Sequence, residues 1–314
     1  MGFFYTGKMH FNYPLKKLTT MKVGGPATYF LNAKNESELI EGIKLARTAK
    51  IKWYVIGEGS NLIPNDDGFD GLIIKNEIKN LKINGDKVFI GAGANLLKVI
   101  NRLNELGLAG MEKMAGIPGT VGGAIYGSAG AYGEEIKDNL VRVKFFDGDR
   151  IGWLSKKQCH FKYRESIFKI KKDRIILAAE FNLKNGNSQE LCKISKEIIK
   201  LREQKYWTGL LCPGSFFKNI VVKEIRSAAL KKKFLSKIPK EKIMYGKIPA
   251  GFLLETIGAK GMRCGKIKVA EHHGNLIYNS GQGKSREIIK IAKILKNKVK
   301  RKFGINLVEE IQYL

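Results

Sequence analysis

Between Asn95 and Leu106 the apolar residues Leu96, Val99, Ile100, Leu103 and Leu106 recur at three- and four-residue intervals, the spacing of one helical face. Asn95, a residue type that caps helix N-termini, stands directly before them, so a helix is expected to start there. Similar patterns predict helices over 37–50, 188–204 and 285–303, the last with Ile288, Ile291, Ile294 and Leu295 turned inward and lysines outward. Short runs rich in β-branched and aromatic residues predict strands at 27–33, 52–57, 71–75, 87–93, 141–148, 175–184 and, near the C-terminus, within 305–314. Strands and helices alternate up to about residue 205, and the pattern breaks at 209–214, where a second domain is expected to open. The fold class expected is α+β, in two regions.

One segment fits neither period. AGIPGTVGGAIYGSAGAYG, residues 115–133, holds seven glycines and a proline in nineteen residues, without one charged side chain. Glycine loses more conformational freedom on folding than any other residue, and flexible linkers are polar, whereas this run carries Ile, Val, Tyr and Ala. It is expected to be ordered, bringing its backbone close to a bound group. GEGSN at 57–61 follows a predicted strand and is a second candidate, since a nest of turn amides binds anions. It lacks the third, helix-opening glycine of the Rossmann fingerprint. GQGKS at 281–285 resembles the end of a P-loop, but the earlier glycine that motif requires falls on Tyr278.

The chain has 314 residues and is 44% hydrophobic and 10% aromatic, which suits about two folded domains. No apolar stretch is long enough to span a bilayer, and the first residues lack a basic-then-apolar signal pattern, so a cytoplasmic protein is expected. Four separated cysteines without a CxxC suggest neither a zinc site nor a disulfide framework, and no metal is expected. A net charge of +28 implies attraction to anions. The lysines are spread along the chain and no nucleic-acid reading module is present, so neither nucleic acid nor membrane is expected as a partner.

Several weaker stretches acquire meaning together. In order, the chain carries MKVGGPA (21–27), VIGEGSNLI (55–63), the glycine run, YRES (163–166), GSFFKN (214–219), IPAGFLLETIGAKG (248–261) and LVEEI (307–311). Seven such motifs in this order resemble the UDP-N-acetylenolpyruvoylglucosamine reductase family, over nearly the whole chain from about residue 16. Two departures stand out: Ser128 replaces the family's usual asparagine, and the last motif lacks its usual proline while keeping the final glutamate in register. The short interval from Arg164 to Ser215 resembles the branch without an extra tyrosine-bearing loop.

The resemblance implies an FAD-binding region of the vanillyl-alcohol-oxidase type over 1–205, with subdomains at about 16–78 and 79–205. It implies a smaller α+β substrate-binding domain over 206–302 and a C-terminal strand, 303–314, carrying a catalytic glutamate. FAD would be held non-covalently by Gly57, Gly59, Ser60, Asn61, Gly116, Ile117, Pro118, Gly119, Thr120, Gly122, Gly123, Ala129, Gly130 and Ala131. NADPH would give the hydride and UDP-N-acetylglucosamine enolpyruvate would receive it, in peptidoglycan precursor synthesis, by a monomeric enzyme. Arg164 would stabilise the substrate carboxylate, Ser215 would protonate carbon, and Glu310 would assist, with a cation such as Lys218 near Ser215. Tyr163, Lys218, Asn219, Lys260 and His273 would contact substrate.

Overall fold

The computed structural model describes residues 9–314, and the chain divides into two compact units. The first eight residues, part of the stretch whose lack of a signal pattern suggests a cytoplasmic protein, lie outside the described residues. The first unit comprises residues up to Tyr13, Ala27–Gly59 and Phe69–Gln204; the second comprises Pro14–Pro26, Ser60–Gly68 and Lys205–Leu314.

Among the described residues, the first unit contains two larger sheets, besides two two-stranded ones. One has four strands in the order Met9–Pro14, Pro26–Ala33, Phe69–Asn76, Trp53–Ile56, and the strand Phe69–Asn76 runs parallel to both of its last-named neighbours. Parallel pairing demands a crossover, supplied between Ala33 and Trp53 by the helix Glu36–Thr48, which begins at an Asn35 cap rather than at residue 37. Leu39, Ile43 and Ala46 of that helix close a core over Leu31, Leu72 and Ile74.

The second sheet is antiparallel, in the order Ile151–Ser155, Leu140–Phe146, Ile175–Asn182, Lys87–Gly91, Leu81–Asn84. The helices Leu96–Glu105 and Ser188–Glu203 contribute to its core, and Asn95 and Asn187 cap them through their side chains. Leu96, Val99, Ile100 and Leu103 are buried as their spacing predicts. Leu106 is not: it is 44% exposed, because the helix ends at Glu105 and Gly107, at φ +69°, turns the chain away.

The second unit packs the helix Ser285–Phe303 beside the three short strands Arg263–Cys264, Ile267–Val269 and Ile277–Asn279. Ile288, Ile291 and Leu295 join Phe216, Phe217, Leu253 and Leu254 in its core, while Lys290 and Lys293 are exposed. The turn before the helix serves a structural end: the Asp66 carboxylate accepts the Ser285 and Arg286 amides at 2.8 and 3.0 Å. The helix N-terminus is thus occupied by a carboxylate of the protein itself. Of the C-terminal stretch, only Gln312–Tyr313 forms a strand, paired in parallel with Leu62–Ile63.

Candidate active site

Part of the glycine run is helical. Thr120 caps a six-residue helix, Val121–Tyr126, its hydroxyl accepting the Gly123 amide at 3.1 Å. The amides of Val121 and Gly122 donate to Ala94 and Ala92 at 2.9 and 2.8 Å, so these donors are already used within the protein. Gly122 instead permits a close approach, since a Cβ there would stand 2.8 Å from the Ala92 side chain. Gly57 does the same for the other motif: its Cβ would lie 2.6 Å from Thr120 Oγ1. Asn95 completes the contact, bridging to Thr120 and donating from Nδ2 to Glu58 at 2.8 Å.

The two glycine-rich stretches therefore meet within the first unit. Among the described residues, the amides of Glu58, Gly59, Gly119 and Thr120 donate to no protein acceptor, although Gly59, Gly119 and Thr120 are buried. Buried amides are almost always paired. The Ser128 hydroxyl is likewise buried and without a partner among these residues. This set of donors beside backbone free of Cβ atoms fits a bound pyrophosphate. Ser60 and Asn61 fall in the second unit. Ile117 and Ala129 donate their amides to Met114 and Ala124, Pro118 has none, and Gly130 and Ala131 form the short strand that pairs with Glu134–Glu135.

Substitution of Gly57 tests the contact between the two loops. Gly57→Ala forces Thr120 to turn aside, which also uncaps Gly123, and overpacking of this kind costs about 1–3 kcal/mol. A lowered melting temperature together with weaker flavin retention is expected; curves superimposing on the wild type would show that Thr120 yields freely.

Arg164 sits with Tyr163 at the tip of a tight hairpin closed by Lys162 and Glu165, which exchange backbone hydrogen bonds at 3.0 and 3.1 Å. Its φ of +57° is a conformation that non-glycine residues seldom hold. The guanidinium donates from Nη1 to the Ser128 carbonyl at 3.3 Å and from Nη2 to that of Gly130 at 3.1 Å. It also lies 5.3 Å from the Tyr163 ring centre. Arg164 is thereby fixed to the end of the glycine run, near the Ser128 hydroxyl.

Ser215 belongs to the second unit, where Gly214, at φ +85°, makes the turn before it. Phe216 and Phe217 anchor this stretch in the core. Lys218 donates its amide to Val308 at 2.9 Å and Glu310 donates its amide to Phe216 at 2.8 Å, so the backbones carrying Ser215 and Glu310 run side by side. Asn61 reaches the same place, donating from Nδ2 to the Glu310 carbonyl at 3.0 Å.

Three neighbours escaped the sequence patterns. Tyr206 Oη lies 3.1 Å from Ser215 Oγ, and Lys205 Nζ donates to that Oγ at 3.5 Å. Lys205 thus brings an ammonium to Ser215 that the sequence motifs did not name. Asn275, buried, accepts the Phe217 amide and donates to its carbonyl, both at 2.8 Å, pinning the strand. Nothing in the local sequence marks these residues, since their partners lie 9 to 58 positions away.

The substrate-contact candidates of this unit are ordered by local bonds. Asn219 accepts the Ala250 amide at 3.1 Å, and Lys260 lies 3.4 Å from Glu255, whose other oxygen accepts the Gly274 amide. His273 accepts the Asn275 amide at Nδ1, which leaves the proton on Nε2. Burial first, and then the charge of Lys205, push its pKa down to about 4, so the ring is a neutral donor near pH 7. His272 is committed separately, through Nε2 to the Lys205 carbonyl at 2.9 Å.

Comparison with known proteins places this geometry. Residues 27–150 match the FAD binding domain, and 208–314 match the C-terminal domain of UDP-N-acetylenolpyruvoylglucosamine reductase. The chain is 42% identical over 301 residues to the UDP-N-acetylenolpyruvoylglucosamine reductase of Solibacter usitatus, covering 96% of this chain and 95% of that one. The chain belongs to the UDP-N-acetylenolpyruvoylglucosamine reductase family. It is also 33% identical to the reductase of that name from Caldanaerobacter subterraneus, over 98% of this chain and 93% of that protein. The crystal structure of the reductase from Thermus caldophilus matches with a TM-score of 0.74 at 26% identity, covering 98% of both chains. A domain that binds FAD and the reductase family's C-terminal domain therefore occur here in the family's order, and the α+β fold expected from the sequence is the one observed.

Proposed function

We propose that this chain reduces UDP-N-acetylglucosamine enolpyruvate to UDP-N-acetylmuramate, with Arg164, Ser215 and Glu310 as its catalytic residues. Membership of the reductase family gives the activity, a step of peptidoglycan precursor synthesis that uses FAD and NADPH. The observation that carries the residue assignment is the Ser215 hydroxyl, close to a phenol and an ammonium, on a segment hydrogen-bonded to that of Glu310. FAD, when bound, supplies hydride taken from NADPH. The amides of Glu58, Gly59, Gly119 and Thr120 and the Ser128 hydroxyl are the groups proposed to hold it, with the remaining glycines of both motifs allowing close approach.

Hydride added to the terminal methylene of the enol ether pushes negative charge into the substrate carboxylate as an enediolate. Arg164 grips that carboxylate with two parallel N–H bonds, preorganised by its carbonyl contacts. Ser215 delivers its proton to the neighbouring carbon. A serine hydroxyl is a weak acid, but the enediolate carbon is strongly basic, and the Lys205 ammonium at 3.5 Å stabilises the alkoxide left behind. Glu310 is turned to orient a donor, because a bare carboxylate facing the substrate would oppose the developing anion. Tyr163, Lys218, Asn219, Lys260 and neutral His273 supply contacts to the nucleotide sugar.

By function, the chain is divided into an FAD-binding region to about residue 205, a substrate-binding domain over 206–302 and a C-terminal segment over 303–314 that carries Glu310. The family matches at 27–150 and 208–314 support this division. We place the enzyme in the cytoplasm as a monomer acting on a small molecule alone. No helix of the described residues is long and apolar enough to cross a membrane, and the lysines are spread along the sequence.

The purified protein is expected to be yellow and to oxidise NADPH steadily only when UDP-N-acetylglucosamine enolpyruvate is added. Acid precipitation is expected to leave the flavin in the supernatant, because the glycine run offers donors but no His or Cys for attachment. Flavin retained in the pellet, or NADPH oxidation indifferent to the sugar nucleotide, would overturn this assignment.

A further inference from the structure

We infer that Tyr206 is a positioning residue for proton delivery, setting the direction in which the Ser215 hydroxyl points. The inference rests on Ser215 being the proton donor. A serine hydroxyl has one hydrogen and two lone pairs. To protonate carbon it must aim its hydrogen at the substrate, so its remaining neighbours have to act as donors toward Oγ. The structure places two groups able to donate there. Lys205 Nζ, which can only donate, lies 3.5 Å from Oγ, and the Tyr206 phenol lies 3.1 Å away. With both lone pairs of Oγ engaged, the Ser215 hydrogen has one direction left, away from both partners.

The phenol has a second consequence. As the Ser215 O–H bond breaks and the new C–H bond forms, the electron pair stays on Oγ. A phenol O–H already directed at that oxygen forms a stronger hydrogen bond as charge develops. Tyr206 keeps its own proton throughout, and the serine is reprotonated from solvent after product leaves. The pair is built rather than incidental. The Lys205 ammonium also sits 5.0 Å from the centre of the Tyr206 ring, and His272 Nε2 holds the Lys205 carbonyl at 2.9 Å. The segment presenting both donors is therefore tied to the turn 272–275, whose Asn275 holds Phe217 two residues after Ser215.

Tyr206→Phe in the flavin-loaded full chain keeps the ring and removes only the hydroxyl. Reoxidation of reduced flavin by UDP-N-acetylglucosamine enolpyruvate should slow about 10–100-fold, the effect of losing one hydrogen bond to a group that becomes charged. Bleaching by NADPH, the dissociation constant of the sugar nucleotide and the melting temperature should stay at wild-type values. In a Ser215→Ala background the same substitution should cost nothing further, because the two act as one unit. A readout independent of turnover comes from full chain labelled with 3-fluorotyrosine. The fluorine resonance that vanishes in Tyr206→Phe should move on Ser215→Ala.

Equal slowing of both half-reactions, a further loss in the Ser215→Ala background, or an unmoved fluorine resonance would each overturn the inference. If Ser215→Ala stalls reoxidation alone while Tyr206→Phe reacts like wild type, the positioning role falls and the proton donor stands. If Ser215→Ala slows both half-reactions alike, both assignments fall.

Discussion

Ser215→Ala is expected to bleach with NADPH at close to the wild-type rate and then to stall when UDP-N-acetylglucosamine enolpyruvate is added. A residue that only protonates carbon after hydride transfer takes no part in flavin reduction, so the two half-reactions should separate cleanly. General acids commonly contribute about 10²–10⁴-fold. The loss here is expected in the upper part of that range, because Lys205 and Tyr206 lie 3.5 and 3.1 Å from the Ser215 oxygen, and no other acid is evident in the motif. Removing that oxygen leaves both without the atom they serve. Ser215→Cys should recover part of the rate, since a thiol is a stronger acid in nearly the same place. Stopped-flow absorbance of the flavin reads both steps in one experiment. Reduction slowed as much as reoxidation would make Ser215 a structural residue.

Arg164→Lys is the second large effect expected, a loss of about 10²-fold or more in turnover despite the retained charge. The guanidinium is held by two separate carbonyls, Ser128 at 3.3 Å through Nη1 and Gly130 at 3.1 Å through Nη2. Those contacts fix the plane in which its remaining N–H groups meet a carboxylate. A lysine ammonium can reach one carbonyl or the substrate, but it has no planar fork to do both. The loss should appear in kcat more than in KM, as expected for a contact that strengthens with developing charge. Steady-state rates like those of wild type in Arg164→Lys would remove Arg164 from the enediolate role.

Local sequence carried more of this protein than its lysine-rich composition suggests. Helix faces such as Leu96–Leu103 and Ile288–Leu295 were legible because helical periodicity repeats within a few residues and one buried stripe satisfies it. The end of the first of these helices was not legible: Leu106 continues the apolar pattern, yet the positive φ of Gly107 ends the helix and leaves Leu106 exposed. The glycine run was legible as an ordered, close-approach backbone, but not the division of labour inside it. Whether a given amide is spent on Ala92 or remains open depends on strands far away in the chain.

The site divides along the same line. Arg164, Ser215 and Glu310 could be proposed from motif order, because each lies in a short stretch whose residue types and spacing are read locally. Their supports could not. Tyr206 and Lys205 meet Ser215 only because the chain turns back through Gly209 and Gly214, both at positive φ. Asn275 meets Phe217 across 58 residues, and Asp66 caps a helix that begins 219 residues later. A sequence determines what neighbouring residues can do for one another through the period of the backbone they share. Which distant donor arrives at a given hydroxyl is decided only when the core closes and sets the strands in register.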